Sequence, residues 1–191
     1  MKESMFPSGM ALTEPWIEHF FVGPLQMRCS VVTDRSNGDT IIVDGGDEPQ
    51  RIIDWIDRYE GPGPNWTTGP ETQAMALEQN LPPRRVVALV NTHAHFDHSG
   101  FIPVLREHYG VAWYLHPDDT FLQTLAQASG RRYGLHLPEP AVADHPLKAQ
   151  ETHTFGSIEL RVLHTPGHTL GGCCLLLPVE GGPDHVFVGD T

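Results

Sequence analysis

The stretch Thr92-His93-Ala94-His95-Phe96-Asp97-His98-Ser99-Gly100 decides how this chain is read. It packs three imidazoles and a carboxylate into six residues. Imidazole nitrogen and carboxylate oxygen are the usual protein ligands of Zn²⁺ and related divalent ions. Just upstream, Arg85 to Val90 contains the apolar run Val86-Val87-Ala88-Leu89-Val90, the pattern of a strand covered on both faces. The cluster therefore begins at the carboxyl end of a buried strand. A turn there can aim His93 and His95 at one point, and Asp97 and His98 at another. Two metal ions about 3.5–4 Å apart would hold a shared hydroxide between them.

Working outward, the other ligands should come from separate strand ends. Ile158, Leu160 and Val162 alternate with Glu159 and Arg161, a half-buried strand that runs into His164-Thr165-Pro166-Gly167-His168. His168, after that turn, is placed to be the third ligand of the first ion. Cys173 to Leu177 and His185 to Val188 read as two more strands. The second leads to Gly189-Asp190-Thr191, where Asp190 is the carboxylate to bridge both ions. Upstream, Ile17–Val22, Met27–Thr33 and Thr40–Val43 are strand-like. Asp44-Gly45-Gly46 then marks a turn, and Asp47 can cap a helix with Ile52, Ile53 and Ile56 on one face. After the cluster, Phe101, Val104, Leu105 and His108 predict one helical face closed by Gly110. Val111–Leu115 reads as a strand and Pro117–Ala128 as a helix. Residues 134–150 read as a surface crossing. The stretch 59–85, with Trp66, a helical piece from Glu71 to Gln79 and many Gly and Pro, reads as an insertion or lid loop. Strand, helix and strand recurring in this way predict an α/β protein with helices on a sheet.

The bulk numbers set limits. A chain of 191 residues suits one domain, 1–191. Twelve Lys and Arg against 24 Asp and Glu give a net charge of −12, which argues against nucleic acid as a partner. No run approaches the ~20 apolar residues of a membrane helix. Met1 to Trp16 has no continuous apolar core of the secretory kind. Cys29, Cys173 and Cys174 are odd in number and two are adjacent, so they read as small buried hydrophobes in a reducing cytoplasm. The expected partner is a small-molecule substrate, with the oligomeric state left open.

Taken in order, His93-x-His95-x-Asp97-His98, Thr165-Pro166-Gly167-His168-Thr169 and Gly189-Asp190-Thr191 resemble the metallo-β-lactamase superfamily, over roughly Phe20 to Thr191. Within it the chain is most similar to glyoxalase II-like hydrolases, which cleave S-hydroxyacylglutathione thioesters. The resemblance implies an αββα sandwich with a dinuclear site at one edge. His93, His95 and His168 match the first metal's ligands, Asp97 and His98 the second's, and Asp190 the bridge. Asp97 and Asp190 are the residues implied in catalysis, Asp97 by orienting the nucleophile. Asp44 matches a partner that orients a ligand imidazole, with a purely structural turn carboxylate as the alternative. Two divalent ions are implied, zinc first and iron or manganese as alternatives, and the implied reaction is hydrolysis by metal-activated water. The family pattern continues past Gly-Asp-Thr to a further His that completes the second metal. The reading is thus of an incomplete domain, lacking the C-terminal part of its second half and one ligand.

The same ligand types also suit other functions. A persulfide dioxygenase would hold a single iron, and a lactonase would use the same site on an ester. A true β-lactamase is disfavoured because those enzymes generally lack the carboxylate that Asp190 supplies. A flavodiiron oxidoreductase is disfavoured because His95 stands where that site has Glu. The non-enzyme alternative is a truncated metal-binding domain without activity. Of the remaining histidines, His164 lies nearest the motif.

Overall fold

The apolar run at 86–90 forms β4 (Arg85–Val90), with β3 (Asp39–Val43) and β5 (Trp113–Leu115) hydrogen-bonded to it in parallel. Its side chains divide between two apolar layers, which is why the run is unbroken, and its register against β3 shifts between Thr40 and Ile41. Val86 and Leu89 face one core and Ala88 and Val90 the other. Ile42 on β3 faces the first layer, whereas Ile41 and Val43 face the second. In this computed structural model, residues 15–58 and 82–191 are described.

β1 (Pro15–Val22) and β2 (Met27–Asp34) extend the same sheet antiparallel, and β6 (His145–Pro146) ends it, in the order β1-β2-β3-β4-β5-β6. β7 (Thr152–Phe155), β8 (Ile158–His164), β9 (Cys173–Leu177) and β10 (His185–Phe187) form a second, antiparallel sheet in the order β10-β9-β8-β7. Leu160, Val162 and Leu175 of the second sheet meet Ile41, Val43 and Val90 of the first, so the sheets pack face to face. On the outer face of the first sheet lie α1 (Pro49–Arg58) and α3 (Ile102–Tyr109), presenting Ile52, Ile53, Ile56, Ile102 and Leu105 to Leu89 and Trp113. Each such side chain, fully buried, contributes about 2 kcal/mol of transfer free energy. This is the α/β sandwich that the resemblance implies. The short α2 (Phe96–Ser99), a 3-10 turn at Pro117–Asp119 and α4 (Thr120–Arg131) complete the described helices.

Four local readings need correction. Asp47 does not cap α1 as expected. Its Oδ1 accepts from the adjacent Glu48 N–H at 2.7 Å, while Glu48 O receives Arg51 and Ile52 N–H and Pro49 opens the helix. Pro at the first turn sets that boundary because its missing N–H costs nothing there. The helix after the cluster is two pieces; of the expected face only Leu105 is buried, joined by Ile102 rather than by Phe101, Val104 and His108. His108 instead turns to Asp57 on α1 at 2.8 Å. The expected 117–128 helix starts as a 3-10 turn and runs to Arg131. Residues 134–150 are more than a crossing, since β6 lies there and Leu137 and Leu147 are buried. All of the insertion at 59–85 except 82–85, Trp66 and Glu71–Gln79 included, lies outside the described residues.

Candidate metal centre

The two sheets bring their ligand-bearing ends to one edge. β3 and β4 run parallel, so Asp44 after β3 and Asn91 to His98 after β4 leave the sheet side by side. From the second sheet, β8 ends at His164 and leads to His168, and β10 leads to Asp190. A backbone bond from Cys173 N–H to Thr92 O, 2.9 Å, fastens one sheet to the other at this edge.

Two groups of ligand atoms converge there, each with its members within 4.8 Å of one another. One is His93, His95 and His168; the other is His93, His98 and Asp190. The first three rings are nearly perpendicular, with interplanar angles of 87°, 82° and 86° and centroids 4.5–4.9 Å apart. Their in-plane lone pairs can therefore approach one point from three sides. Asp190 spans the groups, with Oδ1 3.3 Å from His98 Nε2 and Oδ2 3.4 Å from His168 Nε2. Asp97 belongs to neither group, its Oδ2 3.8 Å from His98 Nε2. The structure thus brings five of the six expected ligand residues, His93, His95, His98, His168 and Asp190, into these groups and leaves Asp97 outside both.

The donor set suits divalent cations. Buried His93 Nε2 has no hydrogen-bond partner. Its Nδ1 lies 3.1 Å from Thr92 Oγ1, and that hydroxyl donates to Asp44 Oδ2 at 2.8 Å. A hydroxyl that gives its proton to Asp44 accepts from Nδ1–H, so the Nε2 lone pair faces the cluster. Burial, reinforced by the charge of His98, lowers the His93 pKa to about 4, and burial followed by the His168 charge lowers that of His95. Both imidazoles are thus neutral near pH 7, the form that binds metal. His98 is different. Burial pulls its pKa down, but the negative charge of Asp44, 3.2 Å from Nδ1, and the Asp190 carboxylate, 3.3 Å from Nε2, outweigh that and push it up to about 10. Reciprocally, the hydrogen bond from His98 holds Asp190 at about 2 despite desolvation. Two carboxylates thus hold a positive charge at His98, and a divalent cation can take the place of that proton.

Asp44 organises this edge. It is buried at φ 58°, a left-handed conformation that Asp tolerates better than most residues. Oδ1 accepts from Thr92 N–H at 2.8 Å and Asn91 Nδ2 at 3.1 Å, and Oδ2 stands 3.2 Å from His98 Nδ1. Asn91 also donates to His98 O at 2.6 Å. Gly46 is obligatory by close approach, since a Cβ there would come within 2.1 Å of the His98 carbonyl carbon. Asn91, Thr92 and Asp119 escaped the sequence reading. A hydroxyl directly before the first His was the available signal for Thr92; the other two carried none. A cavity of about 260 Å³ opens beside the second group, lined among others by His19, Arg28, Asp44, His98, His185 and Asp190.

A further grouping, His116, Asp118 and His164, lies nearby. Here the imidazoles stack at 4.2 Å with planes 10° apart, and His164 Nε2 bonds Leu170 O at 2.9 Å. An ion in one ring plane would lie out of the other, so this pair packs the loop rather than chelating.

A sequence model of the metallo-beta-lactamase superfamily matches residues 22–191. The chain belongs to that superfamily. It is a superfamily of metallo-hydrolases that bind divalent metals. An uncharacterized protein of Aquifex aeolicus is 34% identical over 157 residues, covering 81% of this chain and 61% of that protein. The hydroxyacylglutathione hydrolase GloC of Haemophilus influenzae is 28% identical, covering 92% of this chain and 71% of its own. Among solved structures, TTHA1623 in a di-iron-bound form is 31% identical with a TM-score of 0.63, covering 90% of this chain and 71% of that one. The B3 metallo-beta-lactamase BLEG-1, at 24% identity, TM-score 0.65 and coverage of 84% and 66%, shares the fold. The chain thus spans less than two thirds of the Aquifex relative.

Proposed function

We propose that this chain is a metal-dependent hydrolase acting on a thioester such as S-hydroxyacylglutathione, with His93, His95 and His168 holding one divalent ion and His98, Asp97 and Asp190 a second. The observation that carries the reading is the convergence of the perpendicular rings of His93, His95 and His168, with the unpartnered Nε2 of His93 among them and Asp190 spanning to His98. The similarity to GloC supports the thioester class. Bound there, two divalent ions supply Lewis acidity towards a carbonyl and towards water.

The residues of the chain do the rest. Asp44 and Thr92 fix the tautomer and direction of His93. Asp44 also fixes the Nδ1 side of His98, leaving Nε2 to face Asp190. Asp190, between the groups, and Asp97, beside His98, offer carboxylate oxygens that can orient a water by accepting hydrogen bonds from it. The thiol leaving group has an unperturbed pKa of about 8.5, so its departure as thiolate needs no strong acid. Zinc is the first assignment, and the di-iron form of TTHA1623 supports iron as the alternative. Three buried free cysteines suit a reducing compartment, so cytoplasmic location is part of the proposal. No described helix is long and apolar enough to cross a membrane.

The test measures metal content and thiol release together. Purified protein incubated with S-lactoylglutathione should release glutathione, and chelation should stop it. Persulfide-dependent oxygen uptake with one iron per chain would instead identify a dioxygenase. Release of acid from a lactone but not thiol from the thioester would move the substrate to lactones.

A further inference from the structure

Asp119 ends the 3-10 turn after β5 and is completely buried. A buried carboxylate needs matched donors. Asp119 has three, and each lies in a segment that carries an imidazole of the first group. Oδ2 accepts from Ala94 N–H at 3.0 Å, between His93 and His95, and from the Thr169 hydroxyl at 2.8 Å, directly after His168. Oδ1 accepts from Gly171 N–H at 2.6 Å. A Cβ at Gly171 would come within 2.8 Å of the Asp119 carboxyl carbon, so the loop of His168 must present a glycine there. The helix that follows adds a second brace. Gln123 donates to Ser99 Oγ at 2.7 Å, and that hydroxyl lies 3.2 Å from Ala94 O and 3.0 Å from His95 O. Residues 117–131 thus grip the turn of His93 and His95. Through Asp119 they also grip the loop of His168.

We propose that Asp119 is a positioning residue that sets the spacing of His93, His95 and His168, and so the affinity and coordination geometry of a divalent cation held by them. The inference rests on the metal-centre reading above. A tetrahedral ion needs ligand nitrogens at about 2.0–2.1 Å, a tolerance that two separately anchored loops meet only if their separation is fixed. His168 is the ligand most dependent on such a tie. It follows a turn, it is partly exposed, and it comes from the opposite sheet.

Cobalt(II) is the probe, because its visible absorption reports coordination geometry. Asp119→Asn keeps the shape but sets an amide N–H₂ against a donor, while Thr169→Val removes one of the three bonds. Asp119→Asn should weaken cobalt binding at the first group by about 10–100-fold and alter its spectrum. Thr169→Val should shift both readouts the same way by a smaller factor. Folded Asp119→Asn protein with wild-type affinity and spectrum overturns the proposal. If that variant does not fold, Thr169→Val decides, and an unchanged spectrum and affinity there overturn it equally. Wild-type protein that takes up no cobalt refutes the metal centre itself, whereas wild-type uptake matched by the variants refutes only the role of Asp119.

Discussion

Replacing Asp44 by Asn tests the electrostatics of the metal edge without disturbing its shape. Asn tolerates the left-handed backbone that residue 44 adopts at φ 58°, so strain is not added. What changes is charge and acceptor count. The carboxylate receives Thr92 N–H, Thr92 hydroxyl and Asn91 Nδ2, and it faces His98 Nδ1 at 3.2 Å. Hydrogen bonds to a charged group contribute about 1.5–3 kcal/mol each, and breaking a buried ion pair from one side costs about 3–5 kcal/mol. Asn retains one acceptor, so a loss of roughly 2–4 kcal/mol is expected in chelator-treated protein near pH 7. The pH profile gives a second signature. The folded pKa of His98, pushed up to about 10, lies above the ordinary histidine value of about 6.5. Stability from this group is therefore complete below about pH 6.5 and is lost as pH rises through about 10. Over that window the linkage is at most on the order of 5 kcal/mol. Urea unfolding of chelated protein from pH 6 to 10 measures it. Wild type should lose stability steadily, whereas Asp44→Asn should start lower and change less. A variant with wild-type stability and the same alkaline slope would refute the reasoning.

Further outcomes follow from the same contacts. Loading metal on the second group should displace the His98 proton; calorimetry in buffers of different ionisation enthalpy reads that release, and no uptake by buffer near pH 7 would contradict it. His95→Ala should abolish binding at the first group and Asp190→Ala should lose most thioesterase activity, with unchanged metal content or turnover refuting the respective assignment. Gly46→Ala forces a Cβ onto the His98 backbone, so a destabilisation of about 2 kcal/mol or more is expected in thermal unfolding, and a neutral effect would mean the turn has slack. His19 is lowered to about 4 by burial and then the Arg28 charge, so its share of stability is present above about pH 6.5 and lost as pH falls towards 4. Histidine NMR checks this, and a His19 pKa near 6.5 would refute it.

The sequence by itself determined which atoms could bind metal and what kind of scaffold would carry them. The apolar run at 86–90 required a strand with both faces covered, and Ile158, Leu160 and Val162 required one with a single buried face. Those local patterns are dictated by backbone period and side-chain polarity, which the chain carries in every window. Tertiary structure decided what depends on residues distant in sequence meeting. The parallel pairing of β3 and β4 brought Asp44 beside Thr92 and His98 and made it an organiser rather than a simple turn residue. Leu105 was buried as expected, but Ile102 rather than Val104 or His108 joined it, and His108 turned to Asp57 on α1. Asp119 looked like one of two acidic residues after a proline, and only the approach of two loops from opposite sheets matched both its oxygens with donors. The cluster at 93–98 names the chemistry because ligand identity is local. How tightly and in what geometry it can act is set by carboxylates such as Asp44 and Asp119, whose partners exist only once the two sheets have packed.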